Sequence, residues 1–140
     1  MKNALLPVCL LLGLAACNKS SAAEKMIGTY ELDKAATVSA AVEMAKKQDP
    51  KVEEAKVVKA MEAMVDMLKA SMDVKADGTL VFRMTGTEES GTWKHDGDKF
   101  TATTKKDSKD SKEEVHTGTV DGDKIRFTEN GQTLVLVKKK

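Results

Sequence analysis

Gly91-Thr92-Trp93-Lys94-His95-Asp96-Gly97-Asp98-Lys99-Phe100 returns in shortened form as Gly118-Thr119-Val120-Asp121-Gly122-Asp123-Lys124-Ile125. In both copies an alternating run meets Asp-Gly, a dipeptide that tolerates the positive φ of a tight I′ hairpin turn. Each copy reads as one hairpin, so the repeat is of a hairpin and not of a domain. Asp77-Gly78 and Asn130-Gly131 carry the same signal. Between these turns the apolar residues recur at period two. Leu80, Phe82 and Met84 alternate with Val81 and Arg83, Ile125 and Phe127 with Lys124 and Arg126, and Leu134 and Leu136 with Thr133 and Val135.

Outward from this region the pattern extends in one direction and changes in the other. Strands are predicted near residues 72–76, 79–85, 91–95, 99–104, 115–120, 124–128 and 132–137, and Gly28, Tyr30 and Leu32 alternate with Thr29 and Glu31 to predict a first strand at 27–32. Lys105 to Glu114 has no apolar residue to bury and is expected to be a solvated loop or hairpin tip. Over about Ala35 to Met72 the period is helical. Val38, Ala41, Val42 and Ala45 form one stripe and Val58, Met61, Val65, Leu68 and Met72 a second, with Gln48-Asp49-Pro50 between them. Asp49 is suited to cap the second helix and Pro50 to its first position, which gives a helix-turn-helix. Its mixed charges do not suit DNA. Eight meandering strands have two exposed edges unless they close. The expected fold is thus β-rich (α+β): an antiparallel up-and-down barrel or half-barrel of about eight strands, with the helix-turn-helix inserted after the first.

The chain has 140 residues, 41% hydrophobic and 32% charged, enough for one domain. Lys plus Arg number 23 and Asp plus Glu 22, a balance that offers no field to attract nucleic acid. At the N-terminus, Lys2 precedes the apolar stretch Ala4 to Leu14, and the small residues Ala15 and Ala16 precede Cys17. This is the pattern of a secretory signal, too short in its apolar part for a permanent span. Leu14-Ala15-Ala16-Cys17 resembles the lipobox of bacterial lipoproteins. The resemblance implies removal of residues 1–16, attachment of diacylglycerol to the Cys17 thiol, and a membrane anchor of two or three palmitate-like chains, which together hold firmly. Asn18, where an Asp would favour inner-membrane retention, implies the periplasmic face of the outer membrane in a Gram-negative host, and otherwise the outer face of the cell membrane. Residues 17–25 are expected to be the lipidated end and a polar tether, and 26–140 the domain. Cys9 leaves with the signal, so no thiol remains for a disulfide, zinc site or nucleophile.

Gly28-Thr29-Tyr30-Glu31-Leu32, the helical pair and the run of Gly-Thr-Trp and Asp-Gly-Asp-Lys hairpins resemble lipocalin-like (calycin) domains of small bacterial lipoproteins. The order of strand, two helices and meander is also similar to fatty-acid-binding proteins, whose helices lid the barrel. The resemblance implies a monomeric, noncatalytic binding barrel with a small apolar ligand. The basic residues with which fatty-acid binders hold a carboxylate have no clear counterpart here.

The candidate site residues follow. Tyr30, Phe82, Trp93, Phe100 and Phe127 are all the aromatics of the chain and sit at apparent inward positions, where they fill a core or line an apolar cavity. Met61, Met64 and Met67 are spaced to offer thioethers to Cu(I), although helix core is the plainer reading, and no metal or other cofactor is expected. His95 and His116 are expected to point outward. The Asp-Gly-Asp steps lack the long loop and closing Glu of a calcium site. With no Gly-x-Ser-x-Gly elbow, no histidine with evident acid and serine partners and no paired carboxylates in a cleft, an enzyme is not expected. The alternative to a ligand-binding barrel is an envelope interaction or inhibitor module acting through Thr85 to Ser90 and Lys105 to Glu114.

Overall fold

A computed structural model describes residues 19–106 and 112–140 of the chain. The elements run α1 (Lys19–Met26), β1 (Gly28–Leu32), α2 (Lys34–Gln48), α3 (Glu54–Met67), β2 (Ala70–Val74), β3 (Thr79–Met84), β4 (Thr87–Asp96), β5 (Lys99–Lys106), β6 (Glu113–Asp121), β7 (Lys124–Glu129) and β8 (Gln132–Lys138). Every strand pairs antiparallel with its successor, and β8 returns to β1 to close the barrel. The expected fold class stands, with full closure in place of the half-barrel.

The hairpins depart from expectation in their chemistry. The turns after β4 and β6 place Gly97 and Gly122 at φ of +62° and +61° and leave the preceding aspartates in the strands, paired as Asp96 with Lys99 and Asp121 with Lys124. The loop is therefore Gly-Asp, with positive φ at its first position only, as in a II′ turn. Asn130-Gly131 has both residues at positive φ, as an I′ turn requires. So does Thr85-Gly86, a turn whose β-branched first residue hides it in the sequence. Consequently Thr85 to Ser90 is not a loop, because β4 begins at Thr87. Lys105 and Lys106 end β5, and Glu113 and Glu114 begin β6; the centre of the expected loop, 107–111, lies outside the described residues.

The helical insertion begins where Asp33 caps α2, its carboxylate accepting from the Ala36 N–H at 2.9 Å. Asp49 does not cap the next helix. It ends α2, and its side chain turns to the Lys51 N–H in a local turn, so that α3 starts only at Glu54 with Glu53 before it. Helix α3 stops at Met67, and Met72, expected on its stripe, is a core residue of β2. Of the expected polar tether, 17–25, residues 17 and 18 lie outside the described residues and the rest is helical from Lys19 through to Met26, consistent with the helix-favouring Ala22-Ala23-Glu24-Lys25. Met26 is buried there and its carbonyl accepts from the Tyr30 hydroxyl at 3.0 Å.

Inside the barrel the core joins Tyr30, Met72, Val74, Leu80, Phe100, Ala102, Ile125 and Leu136. Phe100 sits between two rings, stacked on Trp93 at 5.9 Å and edge-on to Phe127 at 6.0 Å. Gly118, paired with both Phe100 and Phe127, makes room for this: a Cβ there would meet the Phe127 ring and Ile125 at 3.0 Å. Helix α2 meets β8 at the barrel seam. The Asp33 N–H donates to the Val135 carbonyl at 2.8 Å and the Val135 N–H to the buried Thr37 hydroxyl at 3.1 Å. Two backbone groups that β1 is too short to reach are thereby satisfied.

Candidate functional site: an apolar cavity with one polar end

A cavity of about 570 Å³ lies between the helical pair and the barrel interior. Ala41, Met44 and Ala45 of α2 and Val57, Met61 and Met64 of α3 form its helical side. Its barrel side is Met72, Leu80, Phe82, Met84, Ala102, Phe127 and Leu134. Methionine dominates this wall, and its unbranched, polarisable side chain adapts to occupants of different shape. The volume falls in the range of small-molecule sites, about 300–1,000 Å³.

The cavity divides the sequence candidates. Phe82 and Phe127 line it, whereas Tyr30 and Phe100 lie in the core, with Phe100 packed against Phe127 and Trp93 half-buried against the core. Tyr30 is 1% exposed, and burial first, then the nearby Asp123 charge, raises its phenol pKa to about 12. The methionine run is split: Met61 and Met64 line the cavity, while Met67 is 76% exposed. Cys17 lies outside the described residues.

Both histidines point inward, contrary to expectation. His95 pairs with Phe100, and directly opposed residues of an antiparallel pair share a face. His116 pairs with the buried Ala102 and lines the cavity. Its Nδ1 lies 2.7 Å from a Glu129 carboxylate oxygen, and since a carboxylate only accepts, Nδ1 carries the proton. Nε2 lies 3.3 Å from Thr104 Oγ1 and 3.9 Å from Glu114. Thr104 Oγ1 also lies 3.0 Å from Glu89, to which its proton is directed. These groups come from β4, β5, β6 and β7 and form a polar end on a mostly apolar chamber, whose other polar lining residues are Thr37, Gln48, Gln132 and Thr133. Ligand atoms of Glu89, Glu114 and His116 come within 4.8 Å of one another, a spacing that suits a small cation.

The signal for this end was present in the sequence but ambiguous. Val115 argues for one strand parity in β6, and Gly118 and Val120 for the other; the second is correct, and Val115 is 64% exposed. Among the described residues no helix is long and apolar enough to cross a membrane. Compared with protein-family models, curated proteins and solved structures, the chain matches none.

Proposed function

We propose that this chain is a lipid-anchored envelope protein whose lipocalin-like barrel binds a small apolar molecule without transforming it. The observation that carries this reading is the cavity of about 570 Å³ walled by Met44, Met61, Met64, Met72, Met84, Phe82 and Phe127. Apolar side chains left facing an open chamber forgo dispersion contacts, and an occupant restores them. These residues span the helical pair and three strands, so the helices act as a lid to the barrel, as in the family whose order of elements this chain resembles. The anchor rests on Leu14-Ala15-Ala16-Cys17, which would hold the barrel at a membrane surface where apolar molecules are at hand.

The test is native mass spectrometry of residues 19–140, which contain every described element, exported and purified without detergent, followed by titration with the neutral dye Nile red. A discrete small-molecule adduct and a saturable rise in dye emission are expected. A bare mass together with unchanged dye emission would refute a binding barrel. Met61→Glu is expected to weaken the dye by at least about tenfold by placing a charge in the apolar wall.

A further inference from the structure

We propose that Met64 and Met84 form an oxidation site that governs the cavity: converted to sulfoxides by a peroxide or a hypohalous acid, they make the chamber release its apolar occupant, and reduction restores it. This rests on the cavity being a ligand site and adds a regulation of that site. Five of the chain's eight methionines, Met44, Met61, Met64, Met72 and Met84, line this chamber. Solvent reaches them unequally. Met64 on α3 and Met84 at the end of β3 are each 41% exposed, Met44 and Met61 are half-buried, and Met72 is 1% exposed. An oxidant arriving from solvent therefore meets Met64 and Met84 first among the wall methionines. Residues 19–140 contain no cysteine, so no thiol of the domain competes for it. Met67, 76% exposed and not part of the wall, is oxidised as well and supplies an internal control.

In the step itself a sulfur lone pair takes one oxygen of the peroxide, the O–O bond breaks and water leaves. Sulfur loses two electrons and the peroxide gains them; a hypohalous acid reacts in the same way and releases halide and a proton. The product changes the wall. A thioether is a soft, apolar contact, whereas a sulfoxide carries a strong dipole and an acceptor oxygen. Held against an apolar occupant that has no donor to offer, this oxygen gives up its hydration without a hydrogen bond in return, which is unfavourable. One of the two methionines belongs to the helical pair and the other to the barrel, so both sides of the chamber turn polar together.

Nile red titration of residues 19–140 before and after treatment with hydrogen peroxide, with the oxidised positions read by peptide mass mapping, tests this. At the point where Met64, Met67 and Met84 have each gained an oxygen and Met72 has not, dye affinity is expected to have fallen by at least about tenfold, and methionine sulfoxide reductases are expected to return it. Met67→Leu is expected to lose affinity as the wild type does. The double variant Met64→Leu/Met84→Leu, whose dye binding before oxidation reports that it is folded, is expected to keep its affinity through the same treatment. Met64→Gln/Met84→Gln, which puts amide oxygens in the wall, is expected to bind the dye weakly with no oxidant present. Undiminished affinity once Met64 and Met84 are oxidised, or an equal loss in the leucine double variant, would overturn the inference while leaving the binding barrel intact. Failure of the dye to bind before any oxidant is added would instead overturn the binding reading itself.

Discussion

Thr37 illustrates how one hydroxyl stands in for a missing piece of strand. It is 2% exposed on α2, yet it accepts the Val135 N–H of β8, a group with no β1 partner in register. Thr37→Val keeps the shape and removes the acceptor, so it is expected to cost about 1–3 kcal/mol in chemical denaturation, the cost of an unsatisfied buried donor. Tyr30, the chain's one tyrosine, can be followed directly. With its pKa raised to about 12, phenolate absorbance is expected to appear well above the ordinary tyrosine range. Because the folded value is raised, the associated stability is complete below about pH 10 and lost as pH rises toward the folded value. An ordinary titration midpoint in the folded protein would contradict its burial. His116 shows where sequence reasoning stops at this scale. Its direction depends on which parity of β6 faces inward, and the apolar residues of that strand are divided between the two, Val115 on the outward parity and Val120 on the inward one with His116.

At the scale of elements, the eight strands were legible because period-two alternation and Gly-containing turns are local. The turn chemistry was less so. An Asp-Gly dipeptide does not say whether aspartate is the first loop residue or the last strand residue, and Asp96 and Asp121 are the latter, each opposite a lysine. The boundaries of α3 failed for a related reason: Asp49 finds a nearer partner in Lys51, and the chain must leave the helix by Leu68 to enter β2. Asp33 joins helix and sheet. The Ala36 N–H, then Lys124, holds its carboxyl below the usual value, and Arg83, then Thr29, does the same for Asp73 on β2. Both shifts are depressions, so their stabilisation is present above the unfolded carboxyl pKa of about 3.9 and is lost as pH falls through the folded values. Thermal melts are expected to lose stability below about pH 4, and Asp33→Ala, which removes the cap, to flatten that loss and cost about 1 kcal/mol at neutral pH. An acid profile unchanged by Asp33→Ala would contradict the cap.

For the whole molecule, closure of the sheet followed from counting strands, since eight are enough to join their own edges. The cavity did not follow, because its volume depends on how far the helical pair stands from the barrel, a distance that no local pattern encodes. The proposed anchor is tested at this scale too. Radiolabelled palmitate is expected to enter the exported wild-type chain and not Cys17→Ser, with the substituted protein no longer held in the membrane fraction. Equal labelling of both would remove the anchor.

The seam between β1 and β8 has a consequence in time as well as in space. The ring is joined by Tyr30, Glu31 and Leu32 against Lys138, Val137 and Leu136, with one backbone bond beyond each end, from Asp33 to Val135 and from Lys139 to Thr29; these partners are separated by nearly the whole length of the domain. A chain emerging from a ribosome or threaded through an export pore can form its hairpins in succession, but it cannot complete the ring until its last strand is free. Until then β1 remains an open edge, and a holding factor or a fast final step must protect it from neighbouring chains.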